Sequence, residues 1–305
     1  MDVSVVICAY TEERWDTLTE AARAAAGGTL TPREVIVVCD HAPELEARVR
    51  AELPEVLAMA NNGPRGLSGA RNAGLAASRG EVVAFLDDDA LPAADWLERL
   101  VAAYADPAVV GVGGAAEPLF PGERPAFLAP EFDWVVGCTY RGLPEDPRPV
   151  RNLIGANMSF RREALLRAGG FVNGIGRVGT RPVGCEETEL CIRLAQGQPG
   201  AVLLYDPAVA VRHVVTPERT TLRYYVRRCW AEGRSKALVA ARVGRSDALA
   251  NERRHALRTL PRALRAALGS ADAAGAARAV AIVTGLAITT AGYLAGAAIS
   301  KEGRA

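Results

Sequence analysis

Three consecutive carboxylates, Asp87, Asp88 and Asp89, close an apolar run from Val82 to Leu86. A short apolar run ending in a turn signal reads as a buried strand. The acids then stand where a central strand leaves its sheet, the usual ligand position in open α/β sheets. Three adjacent like charges repel, so a cation is the natural compensator, and a divalent metal holding a phosphate compound fits best. An exposed acidic turn is the plainer alternative. A second acid cluster, Glu186, Glu187 and Glu189, opens a helical pattern at Cys185-Glu186-Glu187-Thr188-Glu189-Leu190. Carboxylates there suit a general base, and they also suit ordinary enrichment of acids in a first helical turn.

The elements that must carry these groups alternate. Strands are expected at 2–9, 35–39, 56–60 and 82–86, and helices at 15–26, 44–53 and 68–78. That alternation predicts an α/β fold on a mostly parallel, doubly wound sheet. A short strand is expected at 109–114, an irregular insert over 118–149 rich in Pro, Gly and aromatics, and a strand at 152–160. Helices at 162–168 and 186–196 and strands at 201–205 and 209–215 follow. Residues beyond 217 read as basic helices over 223–241 and 248–268. The last apolar helix, 279–299, holds no charged residue.

Charge divides the same way. Residues 1–217 carry 20 Lys and Arg against 29 Asp and Glu, and residues 218–305 carry 16 against 6. An acidic front and a basic rear imply two tasks, with a boundary near 217. The six cysteines form no CxxC pair, as expected of packed thiols in a reducing compartment. The opening MDVSVVICAY lacks the basic region and cleavage site of a secretory signal. Neither GxGxxG nor GxxxxGK[ST] occurs after the first strand, which argues against a dinucleotide dehydrogenase and a P-loop enzyme.

Ligand-facing residues recur at several strand ends: Ala9, Tyr10 and Glu12, then Asp40, then Gly66 to Gly74 with Arg71, then Asp87 and Asp89. In that order the pieces VSVVICAYTEE, EVIVVCD, GLSGARNAG, VVAFLDDDALP and GCEETELCIRL resemble the inverting family 2 glycosyltransferases of the GT-A fold. The resemblance spans roughly residues 1–215 and extends to a subgroup acting on polyprenyl- or dolichyl-linked sugars. It implies a mixed, mostly parallel sheet with flanking helices, followed by the basic and apolar helical region.

The roles it implies can be placed by residue. Ala9, Tyr10 and Glu12 face the nucleotide, with Glu12 toward the ribose. Asp40 reads the uracil edge alone, because Cys39 stands where the family has a second acid. Arg71 lies near the base and phosphates. Asp87 and Asp89 are the ends of a DxD signature; Asp89 would ligate Mg2+ or Mn2+, with Asp88 behind them. Glu187 takes the base position and Glu186 neighbours it, although the longer side chains allow the two to exchange. His213 is either a further metal ligand or a core histidine. Gly155 and Asn157 match the lining of the donor-sugar and acceptor pocket, and Trp134 fits an acceptor sugar or a core equally. The stretch from Tyr224 to Trp230 departs from the QxxRW of polymerising members.

The implied reaction moves a sugar from a nucleotide sugar, UDP-linked, to an alcohol that includes lipid-linked acceptors. The apolar 279–299 segment, at ~1.5 Å per residue, reaches roughly 30 Å. Beside basic helices it is expected to bind a membrane, with the catalytic part cytoplasmic at the inner face. A buried helix of a soluble protein is the alternative. No basic groove or aromatic platform suggests nucleic acid. Two other functions share parts of the pattern: a sugar-1-phosphate nucleotidyltransferase, which wants a Gly-rich basic loop after the first strand, and a non-catalytic sugar-nucleotide-binding membrane scaffold.

Overall fold

A computed structural model describes residues 1–179, 183–270 and 272–302, with side chains described through 299. The residues group into two compact units. The first comprises Met1–Glu117, Pro144–Arg181 and Glu186–Val214; the second comprises Pro118–Leu143, Pro182–Cys185 and Val215–Ala305.

The first unit is built on a mixed sheet. In chain order its strands are β1 (Val3–Ala9), β2 (Glu34–Cys39), β3 (Leu57–Ala60), β4 (Val82–Asp87), β5 (Ala90–Pro92), β6 (Val109–Leu119), β7 (Arg148–Pro149), β8 (Asn157–Arg161) and β9 (Val202–Val214). They lie in the order β3-β2-β1-β4-β8-β6-β9-β5, with β7 also on β9. β3, β2, β1 and β4 are parallel, and β8 runs antiparallel to β4. Helices α1 (Trp15–Ala26), α2 (Pro43–Glu52), α3 (Leu67–Ala77), α4 (Trp96–Ala102), α5 (Arg162–Arg167) and α6 (Glu186–Gly197) complete it.

Burial explains the sequence patterns. Val5, Val6 and Ile7 of β1 are all fully buried, so the strand is apolar on both faces rather than alternating. Leu18, Ala21, Ala22 and Ala25 form the helical stripe that α1 packs inward. α3 needs small residues because it lies close to the sheet: a Cβ on Gly74 would stand 2.4 Å from Val6 Cγ1.

Several expectations shift. The strand expected from 152 begins at Asn157, because the chain turns just before it: the Asn157 N–H donates to Ile154 O at 3.1 Å, and Gly155 O accepts from Arg71. The two strands expected over 201–215 are one, and the Asp206 carboxylate accepts the Ala208 N–H beside Pro207. The insert contains a short helical turn, Pro130–Val136, in the second unit, where Asp133 binds Arg124 through both oxygens at 2.6 and 2.8 Å.

The rest of the second unit is helical: α7 (Leu222–Val243), α8 (Arg245–Ala248), α9 (Ala250–Arg254), α10 (Leu260–Gly269) and α11 (Ala273–Glu302). The helix expected over 248–268 is broken, with a widened π turn at His255–Thr259 ahead of Pro261, which cannot supply a ladder N–H. α7 and α11 lie side by side and run in the same direction. Tyr225 Oη donates to Ala281 O at 2.7 Å, Gly233 faces Thr289 and Tyr293, and Gly296 faces Arg234 and Ala237. A Cβ on Gly233 would stand 2.0 Å from Thr289 O, and one on Gly292 2.4 Å from Trp230 O. The Gly292–Gly296 pair is thus a helix-packing surface used within the chain. Midway along α7, Glu232 accepts from Arg228 at 2.7 Å and from the Cys185 thiol at 3.3 Å, with Lys236 Nζ at 3.5 Å. Burial alone would raise Glu232, but Arg228 and Lys236 hold it below its ordinary value.

Candidate active site

Three parallel strands end in a row: Cys39 pairs with Ala9 and Cys8 with Asp87. Asp40, Tyr10 and Asp87–Asp89 therefore emerge along one edge of the sheet. Asp40 is buried and anchored, its Oδ1 accepting from Asn61 Nδ2 at 2.7 Å and its Oδ2 from the Gly66 N–H at 2.9 Å. Gly66 has φ 118°, a conformation that favours glycine, and it turns that N–H toward the acid. Asp40 thereby fixes the loop entering α3 while keeping lone pairs for a ligand. Ala9 is buried and Tyr10 half-buried. Glu12 is exposed in a helical turn, Glu12–Arg14, with Arg48 Nη1 3.5 Å from its Oε2.

The acid cluster sits between β4 and β9. Asp87 retains 31% side-chain exposure, whereas Asp88 and Asp89 are 3% and 2% exposed. Asp89 O accepts the Val214 N–H at 2.8 Å, and the next residue, Ala90, pairs with His213 across β5 and β9. This register brings His213 Nε2 to 3.2 Å from Asp89 Oδ1, with His213 buried. Asp87, Asp89 and His213 can each offer an atom within 4.8 Å of the others. Two carboxylates and an imidazole form a donor set suited to Mg2+ or Mn2+. Burial pushes Asp88 up to about 6, with Arg14 opposing the rise and Asp89 and Asp87 adding to it.

Arg71 links this cluster to α6. Its guanidinium is buried, donating to Glu186 Oε1 at 2.7 Å, Gly155 O at 2.9 Å and Asp87 Oδ1 at 3.3 Å, and it lies 5.4 Å from the Phe171 ring centre. Glu186 is 4% exposed and held in that pair. Glu187 is half-buried and accepts from Thr188 Oγ1 at 3.0 Å. Asn157 is spoken for: it donates to Ala115 O and Val209 O and accepts from Trp96 Nε1, stitching three elements together. Trp134 lies in the second unit, stacked on Phe132 with Arg228 over its ring.

One charged residue at the cluster has no counterpart among the sequence expectations. Arg14 Nη1 stands 2.8 Å from Asp88 Oδ1 and 3.1 Å from Asp89 Oδ2, with its side chain 17% exposed. It lies inside TEERW, where neighbouring acids and a helix start give no hint of an inward guanidinium; only the excess of buried carboxylates could have called for one.

Comparison with known proteins gives the fold and the family. A mannosyltransferase, PcManGT from Pyrobaculum calidifontis in complex with GDP-Man and Mn2+, superposes with a TM-score of 0.57 at 23% identity, covering 97% of this chain and 86% of that one. GalNAc-T7 with UDP, GalNAc and Mn2+ gives 0.54 at 19% identity, covering 79% and 50%. These likenesses fix the fold as GT-A. By sequence, the glucosyl-dolichyl phosphate glucuronosyltransferase of Haloferax volcanii is 36% identical over 243 residues, 78% of this chain and 77% of the relative. The model for "Glycosyl transferase family 2" matches residues 4–168. With more than half of its residues matched, the chain belongs to glycosyl transferase family 2 and is a glycosyltransferase.

Proposed function

We propose that the chain is an inverting, metal-dependent transferase that takes a sugar from a UDP-sugar and places it on a hydroxyl of an isoprenoid-lipid-linked acceptor at a membrane surface. The observation that carries this is the Asp87, Asp89 and His213 trio at the end of β4. Those residues would hold Mg2+ or Mn2+, whose charge, when bound, stabilises the departing nucleoside diphosphate. Asp40, Tyr10 and Glu12 line the neighbouring strand ends and take the nucleoside. Glu186 is committed to Arg71, which leaves Glu187 to accept the acceptor's hydroxyl proton. The acceptor oxygen then bonds the anomeric carbon as the bond to the diphosphate breaks on the opposite face, inverting the centre. The relative's action on a dolichyl phosphate-linked sugar supports the acceptor class.

The second unit supports the membrane. Within Ala273–Ile299 the most apolar 18 residues have a mean hydropathy of 1.6, and only 22% of them are buried. Val280, Val283, Leu286 and Leu294 are exposed along it, as are Leu222, Val226 and Trp230 of α7. α7 also carries Arg223, Arg227, Arg228, Glu232, Arg234 and Lys236 and runs beside α11. Charged side chains are costly in hydrocarbon, so the pair lies along the membrane rather than crossing it, with the exposed Arg223, Arg227 and Arg234 toward anionic headgroups on the cytoplasmic face.

The test is a donor panel of UDP- and GDP-sugars with Mn2+ and a short-chain polyprenyl-phosphate-sugar acceptor. Transfer is expected from a UDP-sugar, with Asp89→Asn and Glu187→Gln each lowering kcat by ~10²-fold or more. No transfer or hydrolysis of any donor by the intact chain would refute the proposal.

A further inference from the structure

Four buried or half-buried carboxylates meet two guanidiniums at the site. Arg71 bridges Asp87 and Glu186, and Arg14 bridges Asp88 and Asp89. The balance leaves two negative charges, which one divalent cation would neutralise. The two guanidiniums differ, however. Arg71 is enclosed, with its Nη2 also satisfied by a backbone carbonyl. Arg14 is partly exposed and sits on a short helical turn, and its contact with Asp89 is to the carboxylate shared with His213. Arg14 and a metal at Asp87, Asp89 and His213 would therefore share one ligand. Asp88 Oδ2 is buried and accepts no hydrogen bond among the described residues, so the carboxylate depends on Arg14 for its partner.

We infer that Arg14 is a resident counter-cation of the acid cluster: it stabilises the metal-free site and weakens binding of free divalent metal, so that metal binds well only together with a nucleoside diphosphate. The inference rests on the reading of Asp87, Asp89 and His213 as the metal site. The physics is direct. A fixed positive charge next to a shared carboxylate repels an incoming dication, while the anionic diphosphate offsets that repulsion and gives the guanidinium a second partner. The device keeps a buried acid cluster from capturing metal without donor, and it couples the two binding events reciprocally.

The experiment measures Mn2+ binding to the full chain by electron paramagnetic resonance, alone and with UDP, for the wild type, Arg14→Gln and Arg14→Lys, together with melting in EDTA and in saturating Mn2+. Arg14→Gln is expected to bind free Mn2+ about tenfold more tightly, and to show weaker enhancement by UDP. It should melt lower than the wild type in EDTA, with most of the gap closed by Mn2+. Arg14→Lys keeps the charge and should stay near the wild type in Mn2+ affinity. An unchanged or weaker Mn2+ affinity in Arg14→Gln, with the same melting deficit in EDTA and Mn2+, would overturn the inference and leave Arg14 a structural residue. Wild-type protein that binds no Mn2+, with or without UDP, would instead overturn the metal site itself and the inference with it.

Discussion

Arg71→Met isolates the buried ion pair that ties α3 to α6. The substitution keeps an unbranched apolar stem beside Phe171 but removes the bonds to Glu186, Gly155 O and Asp87. The Asp87 bond counts for little, under about 1 kcal/mol, because that carboxylate is nearly a third exposed. The other two are buried, and Glu186 is left charged without its guanidinium. Breaking such a pair from one side costs about 3–5 kcal/mol. Against a typical stability of about 5–15 kcal/mol, that loss is large. Glu186→Gln in the same background removes the stranded charge, so the double variant is expected within about 1–2 kcal/mol of the wild type, the remainder being the unsatisfied Gly155 carbonyl. The singles and the double form a cycle with a coupling of at least about 2–3 kcal/mol, the excess of Arg71→Met over the double, to which the cost of Glu186→Gln alone is added. Native-state hydrogen exchange of β1 and β4 amides in urea reads the first unit alone and avoids assuming one transition for both units. A double variant that loses the full sum of its singles would refute the assignment of Arg71 and Glu186 as a mutually compensating pair.

Glu186→Gln should keep more of kcat than Glu187→Gln in steady-state transfer assays, and the reverse order would identify Glu186 as the base. EDTA should abolish transfer, with Mn2+ restoring it in the wild type but not in His213→Ala with Asp89→Asn. Gly233→Val places a side chain against Thr289 O and should cost at least about 2–3 kcal/mol in the second unit, read as faster exchange of α11 amides, with β1 exchange unchanged. Glu232 is held below its ordinary 4.5, so its contribution is present above that pH and lost as pH falls through the folded value. Acid unfolding followed at Trp134 and Trp230 should therefore show a weaker pH dependence below 4.5 in Glu232→Gln. Val283→Glu with Leu294→Glu should reduce cosedimentation with vesicles containing anionic lipid, without lowering turnover of a water-soluble acceptor.

The parallel half of the sheet was legible because its strands are buried on both faces, which writes unbroken apolar runs such as Val35–Cys39 and Val82–Leu86 into the chain. The acids at their ends stood out for the same reason, as charge against an apolar background. What the sequence hid was geometry set by pairing. β5 is three residues long, too short for any periodicity, yet it positions His213. Arg14 was hidden among charged neighbours on a helix start, where exposed and inward residues look alike. Asn157 drew notice as a pocket residue, but its amide is consumed by backbone carbonyls on other strands, a role that depends on contacts distant in sequence. Arg71 likewise carries no local sign that its partners are α6 and Gly155 rather than a ligand.

The rung between Ala90 and His213 has a consequence for how this site can change over generations. Side chains alternate along a strand, so one residue inserted or removed between Val202 and Arg212, with the rest of the pairing kept, would turn His213 away and present a neighbour in its place. A lost aspartate can be regained by a single codon change; a lost register needs a compensating change of length in the same strand, because every later residue of the strand is displaced with it. Substitutions at this centre are thus single-site steps, whereas length changes in β9 break up the grouping of His213 with Asp87 and Asp89. Lineages that keep the chemistry must therefore place their insertions and deletions in the connecting loops.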